Sequence, residues 1–228
     1  MGVFACSDLH GCWQQWEAIQ KFCKDSDRIY VLGDCIDRGS DPIGVLKSVL
    51  ADPRVTLICG NHEDMMMQAL EEEQLYGYSD YWMWIWFNNG GRITYNQWQE
   101  DGMDYSWIQK IKDLPTYAKY TNENGINIIM THSGAVPKAG HDVSSLSRKT
   151  QIWDRDHLSD RFWHRDANEI SLFGHTPTLV LPEYFDAGEI ESGAVWFCDG
   201  HKCDIDNGGF FTGDICLLNL DTFEEHIF

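Results

Sequence analysis

Three observations predict an α/β fold for this chain. Short apolar or β-branched strands, VFAC, IYVL and VTLIC, recur through its first third. Segments with helical spacing of apolar residues lie between them. Each strand also runs straight into a polar turn containing glycine: SDLHG, GDCIDRG and CGNHE. A β-α-β-α-β alternation of this kind places its strands side by side and parallel.

The elements follow in order. WQQWEAIQKFCK carries apolar residues at helical spacing. DPIGVLKSVL adds a start signal, with Asp41 as N-cap and Pro42 in the first turn. After the third strand, EDMMMQALEEE predicts another helix, with its methionines filling core. YWMWIWFNNGG is rich in aromatic residues and closes on a turn; its tryptophans are expected in the core, one of them at a pocket wall. A second alternation starts at INIIMTHSG, residues 126 to 134, and a polar segment from about 137 to 168 has few strand signals. ISLFGHTPT is another apolar run that ends on histidine. The tail, AVWFCDG, HKCDID, DICLLNL and EEHIF, reads as an antiparallel meander. With no internal repeat or long linker, residues 1–228 read as one domain.

Composition narrows the function. A formal charge of −19 opposes binding to a nucleic-acid backbone through simple electrostatics. Bound divalent cations would reverse the sign locally, so a phosphorylated substrate stays compatible with it. No basic leader precedes the first motif, and no run approaches the roughly 18 apolar residues of a membrane span. The chain therefore reads as cytoplasmic, with no membrane partner expected. The 8 cysteines include no C-x-x-C pair and several sit in apolar strands, which suits free thiols in a reducing compartment. The cluster FCDGHKC could offer Cys198, His201 and Cys203 to zinc, but no fourth ligand is evident and Asp199-Gly200 signals a hairpin turn.

The chemistry concentrates at five strand ends. Asp8 and His10, Asp34, Asn61 and His62, His132, and His175 each follow an apolar run. In open α/β sheets, ligands sit beyond the carboxyl ends of the strands. Aspartate, asparagine and histidine in this number suit two divalent cations, with manganese, iron, zinc or magnesium preferred over thiolate-seeking metals. His141, His157, His164, His201 and His226 lack this placement and are expected in loops or on the surface.

The order D-x-H, G-D-x-x-D-R-G, G-N-H-E and two later histidines resembles the calcineurin-like metallophosphoesterases. The D-R-G and G-N-H-E forms narrow the resemblance to the phosphoprotein phosphatase branch, in particular to the bacteriophage lambda and bacterial serine/threonine phosphatases. The motifs span residues 8 to 175, and DIDNGGFFTGDICLLNL is similar to the family's closing strands. The resemblance implies a four-layer α/β/β/α sandwich with two mixed β-sheets; residue patterns alone support only its first βαβαβ part. It also implies that Asp8, His10 and Asp34 hold one metal and that Asp34, Asn61, His132 and His175 hold the other, manganese foremost. His62 would be the general acid oriented by Asp37, while Arg38 and Arg155 (the latter in IWDRD) would bind phosphate.

The implied activity is hydrolysis of phosphoserine and phosphothreonine in proteins by direct attack of a metal-bound hydroxide. A host cytoplasm is implied if the chain is phage-encoded. No cysteine is followed six positions later by arginine, and neither G-x-S-x-G nor a Walker A loop occurs, so the main covalent alternatives lack their motifs. A symmetrical diadenosine tetraphosphatase shares nearly all these residues and is the nearest alternative. A catalytically silent scaffold is the other, although it should have lost His62 or Asp37.

Overall fold

The structure, a computed structural model, describes residues 1–77, 80–160, 162–186, 188, 190 and 192–228. Strands β1 (Val3–Cys6), β2 (Arg28–Val31) and β3 (Val55–Leu57) form the parallel trio that the alternation predicts. Helices α1 (Trp13–Phe22) and α2 (Pro42–Ala51) connect them. Asp41 caps α2 by accepting the Gly44 N–H at 3.0 Å, and Pro42 occupies the first turn, where its missing N–H costs nothing. Helix α3 (Asn61–Tyr76) begins directly beyond β3. Then α4 (Tyr81–Asn88), α5 (Arg92–Glu100) and α6 (Ser106–Lys112) lead to the second half.

That half forms its own sheet from β4 (Tyr117–Thr121), β5 (Asn127–Thr131), β6 (Glu169–Phe173), β7 (Val195–Phe197) and β8 (Lys202–Asp204), in the order β4-β5-β6-β8-β7. A short helix, α7 (Arg148–Trp153), lies between β5 and β6 in sequence. Beyond β8, α8 (Gly209–Thr212) leads to β9 (Cys216–Asn219) and β10 (Glu225–Ile227). These return to the first sheet, whose order is β10-β9-β1-β2-β3. Both sheets mix parallel and antiparallel pairs.

The expected single meander is therefore corrected to two hairpins, one in each sheet. β7 and β8 pair antiparallel beside β6, whereas β9 pairs antiparallel with β1. Alternation identified the strands but not the crossing between them. What directs that crossing is burial. Cys203 and Ile205 on one side, and Cys216 and Leu218 on the other, fill one core between the sheets.

Strand period two then sorts the core into layers. On β1, Val3 and Ala5 face the second sheet while Phe4 and Cys6 face the helices, against Trp16, Ile19 and Leu46. Each aliphatic side chain so buried contributes about 1.5–3 kcal/mol. The outer face of the second sheet is covered thinly, by 3₁₀ turns at Asp156–Ser159 and Thr178–Glu183 that set Leu158 and Leu181 over Phe173. Two stacked mixed sheets with helices make the α/β sandwich that the resemblance implied.

Candidate metal centre

The ends of β1 and β2 run on as a backbone ladder past their last paired residues. The N–H groups of Asp8, His10 and Gly11 donate to the carbonyls of Gly33, Asp34 and Cys35 at 3.2, 2.8 and 2.8 Å. This is possible because Asp8, His10, Asp34, Asp37 and Arg38 all take positive φ, from 39° to 72°. Left-handed backbone outside glycine is uncommon and costs about 1–3 kcal/mol per residue, so the surrounding structure must impose it. Gly33, at φ 95°, is required in addition by close approach. A Cβ there would lie 2.6 Å from the Gly60 Cα and 2.7 Å from the His132 Nδ1.

Asp34 is the hub of the site. Its Oδ2 lies 3.4 Å from His132 Nε2 and 3.7 Å from Nε2 of both His10 and His62. Its Oδ1 accepts the His62 N–H at 3.0 Å. Two trios of ligand atoms, His10/Asp34/His62 and Asp34/His132/His175, each fall within 4.8 Å and share this carboxylate. Burial works to raise the Asp34 carboxyl, but the facing His132 and His62 imidazoles hold it well below the ordinary range.

The ring tautomers are fixed from behind. His10 Nδ1 donates to the Ile36 carbonyl at 2.8 Å and His132 Nδ1 to the Leu32 carbonyl at 2.6 Å, which turns both Nε2 atoms inward. Burial, then the neighbouring imidazoles, keeps His10 and His175 neutral, the form that ligates metal. The Asn61 side-chain oxygen meets His132 Nε2 at 2.9 Å and His175 Nδ1 at 2.8 Å. Asp8 stands at the rim, with Oδ2 accepting from the Ser7 hydroxyl and the His175 N–H and Oδ1 3.8 Å from His10 Nε2. The six expected ligand residues thus converge. The donor set fits divalent cations, and the buried His175 Nε2 has no protein partner.

Beside this cluster, His62 Nδ1 meets Asp37 Oδ2 at 2.6 Å. Burial opposes charge on His62, yet Asp34 and Asp37 together raise its pKa above the ordinary value. Asp37 is fully buried and is held in turn by the Trp86 indole N–H, at 3.0 and 2.9 Å to its two oxygens, and by the Thr94 hydroxyl. Neither Trp86 nor Thr94 is visible as a site residue in sequence. The aromatic run forms α4 and divides between settings, with Trp86 buried against Asp37 and Trp84 67% exposed.

Glu63 belongs to the site as well. Its carboxylate accepts the N–H groups of Asp34 and Cys35 at 2.8 Å, Gly60 at 3.0 Å and Ile36 at 3.4 Å, pinning the β2 loop to the start of α3. Burial, then the Asp34 charge, pushes its pKa up to about 7. Its signal in sequence is an acidic residue at the third helical position, where it can reach back to the N-cap.

The arginines lie on opposite sides. Arg38 donates from Nη1 to His10 Nε2 at 2.8 Å, and its Nη2 lies 3.1 Å from His62 Nε2. Arg155 donates from Nε to the Thr176 hydroxyl at 3.0 Å and from Nη2 to the His175 carbonyl at 3.2 Å. Zinc ligation does not form at FCDGHKC. Cys203 is buried between the sheets, His201 stacks on Trp163 with ring centroids 5.0 Å apart, and no ligand trio occurs there among the described residues. The 8 cysteines are unbridged. Among the described residues, no helix is long and apolar enough to cross a membrane.

Comparison with known proteins agrees with this geometry. A family model described as calcineurin-like phosphoesterase matches residues 1–209. Serine/threonine-protein phosphatase 1 of Salmonella typhimurium is 24% identical over 85% of this chain and 87% of its own length. The symmetrical bis(5′-nucleosyl)-tetraphosphatase of Pseudomonas syringae is 22% identical, covering 99% of this chain and 91% of that one. A crystal structure provisionally assigned as a diadenosine tetraphosphatase superposes on all of this chain and 93% of its own, with a TM-score of 0.64 at 15% identity.

Proposed function

The chain belongs to the calcineurin-like phosphoesterase family, and we propose that it is a divalent-metal-dependent serine/threonine protein phosphatase. The observation that carries this reading is the buried His62–Asp37 pair at 2.6 Å, set beside the donor cluster around Asp34 and faced by Arg38. The Salmonella relative supports the choice of substrate class.

In this reading Asp8, His10 and Asp34 hold one cation, and Asp34, Asn61, His132 and His175 hold the other. When bound, the cations neutralise phosphoryl charge and lower the pKa of a water. The chain's own residues do the rest. Arg38 and Arg155 donate to the phosphate oxygens from their planar forks and orient the ester in line. His62, kept charged by the hydrogen bond its Nδ1–H donates to Asp37, delivers the Nε2 proton to the departing serine or threonine alkoxide. Asp37 keeps one ring orientation because Trp86 and Thr94 hold both of its oxygens. The products are a free hydroxyl side chain and inorganic phosphate.

A second reading, symmetrical dinucleotide tetraphosphatase, is favoured by the near-complete coverage of the Pseudomonas relative. The deciding measurement is kcat/KM on phosphopeptides, nitrophenyl phosphate and diadenosine tetraphosphate, with manganese, magnesium or chelator. Phosphopeptide turnover that needs metal and exceeds dinucleotide turnover is expected. Preference for the dinucleotide would replace the substrate assignment, and inertness towards all three would remove the enzymatic reading.

A further inference from the structure

Lys202 is a buried cation outside the metal centre. It lies on β8, is 3% exposed, and has no carboxylate within 4.0 Å among the described residues. Burying an ammonium without a counter-ion is costly, so its partners should reveal what it does. Its Nζ donates to the carbonyl of His157 at 2.5 Å and to that of Asp160 at 3.1 Å, lies 5.6 Å from the Phe197 ring centroid and bonds the Cys198 thiol, while the Asp160 and Asp154 carboxylates act on it from further off. Those two carbonyls belong to the 3₁₀ turn Asp156–Ser159 and the residue that closes it, and the turn starts immediately after Arg155.

We propose that Lys202 is a positioning residue that holds the Arg155 turn against the second sheet and so aims the Arg155 guanidinium at the phosphate. The turn is too short to hold its own place. Among its fixed points are Leu158, buried on Phe173; the His157 Nε2–H, which donates to the Ser133 carbonyl at 2.6 Å beside His132; the Cys198 thiol, which donates to the Asp160 carbonyl at 3.1 Å; and Lys202. Of these, Lys202 alone binds two carbonyls of the turn at once. Its Nζ takes the place of solvent at a turn end that faces into protein. The lysine sits where parallel β6 and antiparallel β7 both flank β8, with Ser171 and Phe197 as its register partners. Its stem is therefore fixed from both sides.

This inference rests on the phosphate-binding role given to Arg155 above, and the test separates the two. The full chain is prepared with manganese as wild type, Lys202→Met, Lys202→Gln, Arg155→Ala and the Arg155→Ala/Lys202→Met double variant. Two readouts are taken: kcat/KM on nitrophenyl phosphate, and competitive inhibition by inorganic phosphate. Loss of two charge-assisted hydrogen bonds should lower kcat/KM about tenfold and weaken phosphate inhibition by a similar factor in Lys202→Met, with Lys202→Gln between. In the Arg155→Ala background the same change should cost under about twofold, because residues that act through one another are not additive.

Full additivity, or unaltered phosphate inhibition in a folded Lys202 variant, overturns the inference while leaving Arg155 in place. Wild-type behaviour of Arg155→Ala overturns the arginine's assignment and the inference with it. If Lys202→Met does not fold, Lys202→Gln carries the comparison, read against Arg155→Ala/Lys202→Gln.

Discussion

The two sheets hold their shares of the site by different means. The first delivers Asp8, His10, Asp34, Asp37, Arg38, Asn61 and His62 from three adjacent parallel strands, and its loops are locked to one another through the backbone, by the β1–β2 ladder and the four N–H groups on Glu63. The second delivers His132, His175 and Arg155 from segments where a backbone tie between these loops, Gly174 N–H to the His132 carbonyl at 3.1 Å, is joined by long side chains reaching carbonyls, such as His157 to Ser133 and Lys202 to the Arg155 turn. In the proposed reading, backbone locking fixes the groups assigned to proton transfer and ligation, whereas side-chain tethering leaves the proposed phosphate arm adjustable by single residues.

Substitutions can break or sharpen this contrast. The largest effect is expected at His62→Asn, which should lower kcat by about a thousandfold, within the range for removing a general acid, while leaving bound metal unchanged by elemental analysis. Loss of metal together with rate would make His62 a ligand instead, as its place in the first donor trio would allow. Glu63→Gln comes next. An amide cannot match a carboxylate's hold on four N–H groups, and unfolding should become easier by about 2–3 kcal/mol in denaturant titration. A variant as stable as the wild type would show that the loops do not depend on this lock.

Trp86→Phe removes the indole N–H from Asp37 and leaves a cavity where the second ring packed. A fall in kcat of about tenfold is expected, together with a loss of about 1–3 kcal/mol of stability. An unaltered kcat would mean that Thr94 alone orients Asp37. The smallest effect belongs to Asp41→Ala at the start of α2, where the side chain caps the helix and the substitution leaves the Asp41 N–H bond to the Gly11 carbonyl in place. It should cost about 1 kcal/mol of stability and leave kcat as it was.

The same contrast explains what could be read in advance. Asp8, His10, Asp34, Asn61 and His62 were legible because parallel strands present contiguous motifs at their carboxyl ends, so chain order maps directly onto the rim. Glu63 carried only a weak helix-start signal. Trp86, Thr94 and Lys202 carried none, since each acts on a residue far away in sequence: Asp37 for the first two, His157 and Asp160 for the third. His157 looked idle for the same reason. The second sheet escaped derivation because β8 pairs with β6 while β9 crosses to β1, and alternation along a strand does not name its neighbour.

One pairing sets a schedule for the molecule's birth. β1 leaves the ribosome well before β9 (Cys216–Asn219), which forms one of its two flanks. At about 5–20 residues per second, β1 waits many seconds with that edge unpaired, and an open edge invites pairing with other chains. Asp8 and His10 continue from this strand, so the rim gains its final support only once β9 has been translated. Nascent chains stalled before Cys216 should therefore retain no manganese on ribosome pelleting, whereas chains released at full length should. Retention by the stalled chains would mean that the three parallel strands take up metal while the protein is still being made.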